Sequence, residues 1–194
     1  MPGEPDRPGD AGGGWSPAEQ ALLERRIILI SGSLDVARAS HLAACLINLE
    51  ISSGDPVEMR VNAESDSLDA AFGLMDTIDN LGVPVHATVA GLAGGTVVGV
   101  VCVCRRRRIG AMGRMHLREP QADFFGGASE LSRRAADLQS RVEAYARRLA
   151  EATGRPFEHI EADMRSGRHF DAEGALAYGL VDEILGRPGP PPST

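Results

Sequence analysis

Hydrophobic positions recur along this chain in two alternating periods. Arg26 to Ser31 carries Ile27, Ile28, Leu29 and Ile30 in one short apolar run, the pattern of a buried strand. Asp35 stands where a helix cap belongs, ahead of Val36, Ala39, Ala43, Leu46 and Ile47 at helical spacing. Ser53-Gly54-Asp55-Pro56 is a turn. Val57, Met59 and Val61 alternate with polar neighbours as far as Asn62, which predicts a second strand. Leu68, Ala71, Phe72, Met75 and Ile78 return to helical spacing up to Leu81, and Gly82 ends that helix. Pro84 to Ala90 alternates again as a third strand. This order of strands and helices predicts an α/β domain built on a parallel sheet with helices on its faces.

Further on, Leu131, Ala135, Leu138, Val142, Tyr145 and Leu149 step by four and three, which predicts one long helix over Ser129 to Thr153, stopped by Gly154. Its apolar stripe packs either within the domain or against another subunit. Short helices follow near Pro156 to Met164 and Asp171 to Tyr178, and Gly179 to Ile184 closes the fold. The valine-rich stretch Thr96 to Cys104 reads as a strand by propensity, although a short apolar run also suits a buried helix.

Composition narrows the function classes. With 194 residues and 43% hydrophobic content the chain supports one core, hence one domain over 15–185. Residues 1–14 and 186–194 are rich in proline or glycine and poor in apolar side chains, so both are expected to be disordered tails. A net charge of −7 disfavours nucleic acid as a partner. The longest apolar stretch is too short to span a membrane, and the N-terminus lacks a secretion pattern. Three cysteines, an odd number, fit a reducing cytoplasm better than a disulfide scaffold.

All 20 basic residues are arginine, which excludes Ser-Lys, Schiff-base and Walker-type lysine chemistry. Cys102 and Cys104 are separated by one residue, unlike zinc ligands, and His159 and His169 have no ligand-spaced partner. No metal or cofactor is expected. The run Arg105 to Arg108 is expected to lie in a solvated loop and cap the preceding helix.

Several segments, in order, resemble the ClpP family, the proteolytic subunit of the ATP-dependent Clp protease. Leu22 to Ile28 resembles the family's first strand, and Ser31-Gly32-Ser33-Leu34-Asp35 the turn after it. Asp76-Thr77-Ile78 resembles a pair in its second helix. Thr153-Gly154-Arg155-Pro156 and Ile160-Glu161-Ala162-Asp163 resemble the end of its handle helix, and Ala175 to Asp182 its C-terminal signature. The resemblance implies a ClpP/crotonase fold with a mostly parallel sheet, covering helices and a protruding handle helix. In that fold the valine-rich segment is a helix.

The resemblance also implies stacked rings of subunits, an AAA+ unfoldase partner, and a Ser-His-Asp triad with a backbone oxyanion hole. Carried over residue by residue, that site is broken. Gly91-Leu92-Ala93-Gly94-Gly95 places Gly95 at the serine position. Met115-His116 keeps His116 as the histidine, and Gly167 takes the aspartate position. Asn62 to Ser67 replaces the glycine-rich oxyanion turn, so Glu64, Ser65, Asp66 and Thr96 stand around a degenerate hole, where Asp66 would repel an oxyanion. Thr96, Ser65 and Ser67 are weighed as substitute nucleophiles.

The chain is therefore expected to be an inactive pseudo-peptidase, a structural or regulatory subunit that assembles with itself or with active ClpP-type subunits. One alternative is an active serine endopeptidase with a displaced site. A more distant one is a crotonase-like acyl-CoA enzyme, which shares the fold.

Overall fold

The computed structural model describes residues 16–122 and 126–186. The expected tails lie outside these residues, apart from Gly186. The chain enters through α1 (Pro17–Glu24), which Ser16 and Glu19 start by a reciprocal capping box. The segment Leu22 to Arg26, aligned above with a first strand, is thus the end of a helix and a turn. β1 (Ile27–Ser33) starts only after Arg26, whose φ of 61° reverses the chain. The Arg26 guanidinium donates to the carbonyls of Leu49, Ser53, Asp55 and Pro56 and so holds the C-terminal end of the next helix.

That helix, α2 (Val36–Ser52), is capped by Asp35 as expected. Its buried face is Ala39, Leu42, Cys45, Leu46 and Leu49. Val36 and Ile47, assigned to the core by spacing, are instead 51% and 47% exposed. The helix is apolar on two sides, so period alone did not choose the inner one. β2 (Val57–Ser65), α3 (Leu68–Asn80) and β3 (Val85–Gly95) follow.

α4 (Val97–Cys102) is the valine-rich segment, and all six of its residues are buried. The strand expected from propensity is wrong. β-branched side chains give up some χ1 freedom in a helix, but a buried segment must pair its backbone, and a helix does so internally. β4 (Arg106–Gly110) and β5 (Arg114–Leu117) come next, then α5 (Ala128–Thr153), α6 (Phe157–Ser166), β6 (Arg168–Phe170), α7 (Ala172–Tyr178) and β7 (Glu183–Leu185).

The sheet runs in the order β1-β2-β3-β4-β7, with β5 pairing both β3 and β6. Every pair is parallel except β5 with β6. The register of β2 on β3 jumps from Val61↔Val89 to Ala63↔Ala93. This bulge needs Gly91, whose φ of 125° is open to glycine and strained for any other residue. Below the bulge β3 pairs with β4; above it, with β5. The bulge thereby brings the end of β3 beside His116.

The arginine run is β4 and its approach, not a solvated loop. Arg106 pairs with Glu183 at 2.6 Å, Arg107 with Asp182, and Arg108 with Glu58. Arg107 also donates to the carbonyls of Ala152 at 3.0 Å and Gly179 at 2.9 Å. It therefore neutralises the C-terminal ends of α5 and α7, rather than the end of α4.

On α5, Tyr145 and Leu149 are fully buried, and Leu138 and Val142 pack at the edge of the core. The N-terminal part of the same helix is mostly exposed, so the stripe runs off the core and the helix projects. Among the described residues no helix is long and apolar enough to cross a membrane.

Candidate functional site

The carboxyl ends of parallel strands are where open α/β sheets gather their sites. Here β2, β3 and β5 end together. Gly95 sits at the sharp turn from β3 into α4, at φ 57°. His116 pairs with Gly94 across the β3–β5 ladder and with His169 across the β5–β6 ladder. Gly167 is the left-handed C-cap of α6, and a Cβ added there would stand 3.6 Å from His116 Nε2. The three positions assigned to the triad by resemblance thus meet at this end of the sheet.

What surrounds them is an ion network. Glu64 Oε1 lies 3.5 Å from His116 Nδ1 and accepts from Arg118 Nε at 3.1 Å. Arg118 also pairs with Asp66, whose carboxylate accepts from the Gln121 N–H at 3.1 Å. The expected bare Asp66 charge is therefore matched by Arg118. Burial, followed by the charges of His169 and Arg118, lowers the His116 pKa from its ordinary value, and Glu64 opposes this. The imidazole shows Nδ1 to Glu64 and Nε2 to Gly167. In a working triad the acid holds Nδ1 and Nε2 faces the nucleophile.

The segment that the resemblance assigns to the oxyanion turn is ordinary sheet as far as Ser65. β2 continues through Ser65, in register with Gly95. The Thr96 N–H, which follows the position assigned to the nucleophile by resemblance, is bonded to the Ser65 carbonyl at 2.8 Å. The substitute hydroxyls are engaged too. Ser65 Oγ donates to the Leu34 carbonyl at 2.6 Å and accepts from the Ser67 N–H. Ser67 Oγ caps α3 by accepting from the Ala70 N–H at 3.1 Å, and Thr96 Oγ1 donates to the Ser67 carbonyl at 3.2 Å. Thr96 is wholly buried.

Beside this network lies an open cleft of about 570 Å³, lined by Gly32, Ser33, Asn62, Glu64, Asp66 and Arg118. Among the described residues no group of three metal-ligating side chains is set to hold an ion. Cys102 and Cys104 are buried, and burial pushes the Cys102 thiol up to about 11.

Sequence reasoning missed two residues of this site. Arg118 was legible, since it follows His116 by two at the end of an extended segment. His169 was not, because only the antiparallel β5–β6 pairing brings it to His116, with ring centroids 3.8 Å apart and planes at 14°.

The family model for Clp protease matches residues 11–188. Curated relatives agree with it. ATP-dependent Clp protease proteolytic subunit 1 of Nocardia farcinica is 33% identical over 172 residues, 84% of this chain and 85% of that protein. A putative ATP-dependent Clp protease proteolytic subunit-like protein of Cyanophora paradoxa is 30% identical over 170 residues, 85% of each chain. The ATP-dependent Clp protease proteolytic subunit of Leuconostoc citreum is 29% identical over 180 residues, 89% of each. With this match over the whole described fold, the chain belongs to the Clp protease (ClpP) family.

Proposed function

We propose that this chain is a ClpP-type subunit without peptidase activity, a structural or regulatory member of a Clp-type ring assembled with itself or with active ClpP-type subunits. An AAA+ unfoldase is its proposed further partner, and the cytoplasm its proposed compartment. One observation carries the reading: Gly95 offers no nucleophilic atom, and the adjoining Thr96 N–H is bonded to the Ser65 carbonyl instead of facing a site. Losing the nucleophile of a triad costs on the order of 10⁶ in turnover. A displaced serine site gains no support from Ser65, Ser67 or Thr96, whose hydroxyls are engaged in the fold.

Purified protein is expected to hydrolyse neither short peptides nor acyl esters above background. A fluorophosphonate probe is expected to leave it unlabelled, and His116→Ala to change nothing. Saturable peptide cleavage that disappears in His116→Ala would overturn the reading. For the assembly, sedimentation is expected to show a species well above the monomer mass. A clean monomer at micromolar concentration would remove the self-assembled ring and leave only mixed rings.

A further inference from the structure

The stacked pair His116–His169 has no use in the reading above, yet it adds to the ladder between β5 and β6, whose Phe170 is buried in the core. β6 has three residues and pairs with β5 alone, through Met115↔Phe170, His116↔His169 and Leu117↔Arg168. The two imidazoles lie on the same face of that short antiparallel ladder and overlap nearly face to face. Stacked neutral rings attract through dispersion; two imidazolium ions at that distance repel.

The charges around the pair do not cancel a second proton. Glu64, on β2, is shared between His116 and Arg118. Asp66 is taken by Arg118 and the Gln121 N–H. On α6, Asp163 is committed to Arg168 at 3.0 Å and to the Tyr178 hydroxyl. At the start of α7, Asp171 accepts from the Gly174 N–H at 2.8 Å. A single proton on the pair finds Glu64 beside His116; a second sets two cations face to face, with Arg118 close by.

We propose that His116 and His169 form a proton-operated latch: neutral rings help to hold β6 on β5, and protonation of both in mild acid loosens the β6 corner, with Gly167, from β5. The direction agrees with His116 itself. Its pKa is lowered from the ordinary 6.5, so its contribution to stability is whole above that pH and is lost as pH falls through the lowered value. The latch is independent of whether the site is inactive, since it concerns only what holds β6.

The test uses the full chain, with histidine NMR titration and hydrogen exchange of 168–170 in the same buffers. Two unit charges about 4 Å apart, even in bulk water, cost about fivefold in proton affinity. His169→Phe keeps an aromatic ring but removes that charge. It is expected to raise the His116 midpoint by about 0.7 pH unit or more. In the wild-type protein, the protection of β6, corrected for intrinsic exchange, is expected to fall about fivefold or more between about pH 7.5 and about pH 5, while that of β1 and β2 holds. In His169→Phe the fall is expected to vanish. A His116 midpoint unmoved by the substitution, or wild-type β6 protection that is the same at both pH values, overturns the proposal. Loss of β1 and β2 protection together with β6 also overturns it, as global acid unfolding. If His169→Phe does not fold, His169→Gln and the wild-type pH series decide the matter.

Discussion

The double variant Gly95→Ser with Gly167→Asp, whose triad is complete on paper, is expected to show no peptide turnover above background and to be less stable than the parent. The two glycines are not equivalent. At Gly167 a Cβ meets nothing closer than His116 Nε2 at 3.6 Å, so the cost is that of a left-handed backbone, about 1–2 kcal/mol. At Gly95 a Cβ falls 2.1 Å from the Ser65 carbonyl oxygen and 3.3 Å from Arg118 Nη2. Backbone strain of about 1–2 kcal/mol and overpacking of about 1–3 kcal/mol then add to roughly 2–5 kcal/mol. Relief requires the end of β2 to move, which also frees the Thr96 N–H. Adding Ser65→Gly and Asp66→Gly loosens that end and releases Arg118 from Asp66. Some turnover is therefore expected only in the fourfold variant. The measurements are peptide turnover and urea denaturation of both. If the double variant alone works at the rate of an ordinary ClpP, the oxyanion region was never impaired and the alignment of Asn62 to Ser67 is wrong.

Tyr145→Phe is expected to destabilise the protein by about 2–5 kcal/mol, although it removes one oxygen atom. The Tyr145 hydroxyl is fully buried; it accepts from the Gly99 N–H at 2.9 Å and donates to the Gly95 carbonyl at 3.1 Å. Gly99 lies in the first turn of α4, where N–H groups lack an intrahelical partner. The phenylalanine ring leaves a buried donor and a buried acceptor unpaired, each costing about 1–3 kcal/mol. The same contact explains the glycine at 99, where a Cβ would come within 2.4 Å of the tyrosine ring. Urea denaturation is expected to show a lower midpoint with an unchanged slope. A loss under about 0.5 kcal/mol, the size of a neutral surface change, would show that this hydroxyl does not bridge the turn.

Much of the fold was legible because its first half obeys two clean periods. Asp35 and Gly154 lie at the ends the sequence assigned them, and β2 and α3 begin close to where the pattern changes. The failures have physical causes. Valines favour strands only while another strand is available; α4 is enclosed on all sides and pairs its own backbone. β4 opens on three arginines, which are balanced by Glu58, Asp182 and Glu183, two of which arrive late in the chain. β6 has only three residues, below what periodicity can detect. At the site, family resemblance singled out Gly95, His116 and Gly167, and the fold sets Gly167 beside His116. The bond from Thr96 to the Ser65 carbonyl was not, because it depends on the register of β2 beyond the bulge.

The charge on β4 has a meaning during synthesis that the finished molecule hides. The stretch Thr96 to Cys104 is apolar, rich in valine and free of charge and proline, the composition that stacks into intermolecular cross-β when exposed. Four arginines follow it directly. The partner that covers the outer side of β4 is β7, and Asp182, which leads into it, lies 75 residues beyond Arg107. Until the ribosome has released those residues, β4 is an open edge next to a sticky segment. Like charges on every residue from 105 to 108 would oppose the zipping of two nascent chains there, and Asp182 and Glu183 then neutralise Arg107 and Arg106 as they close the sheet.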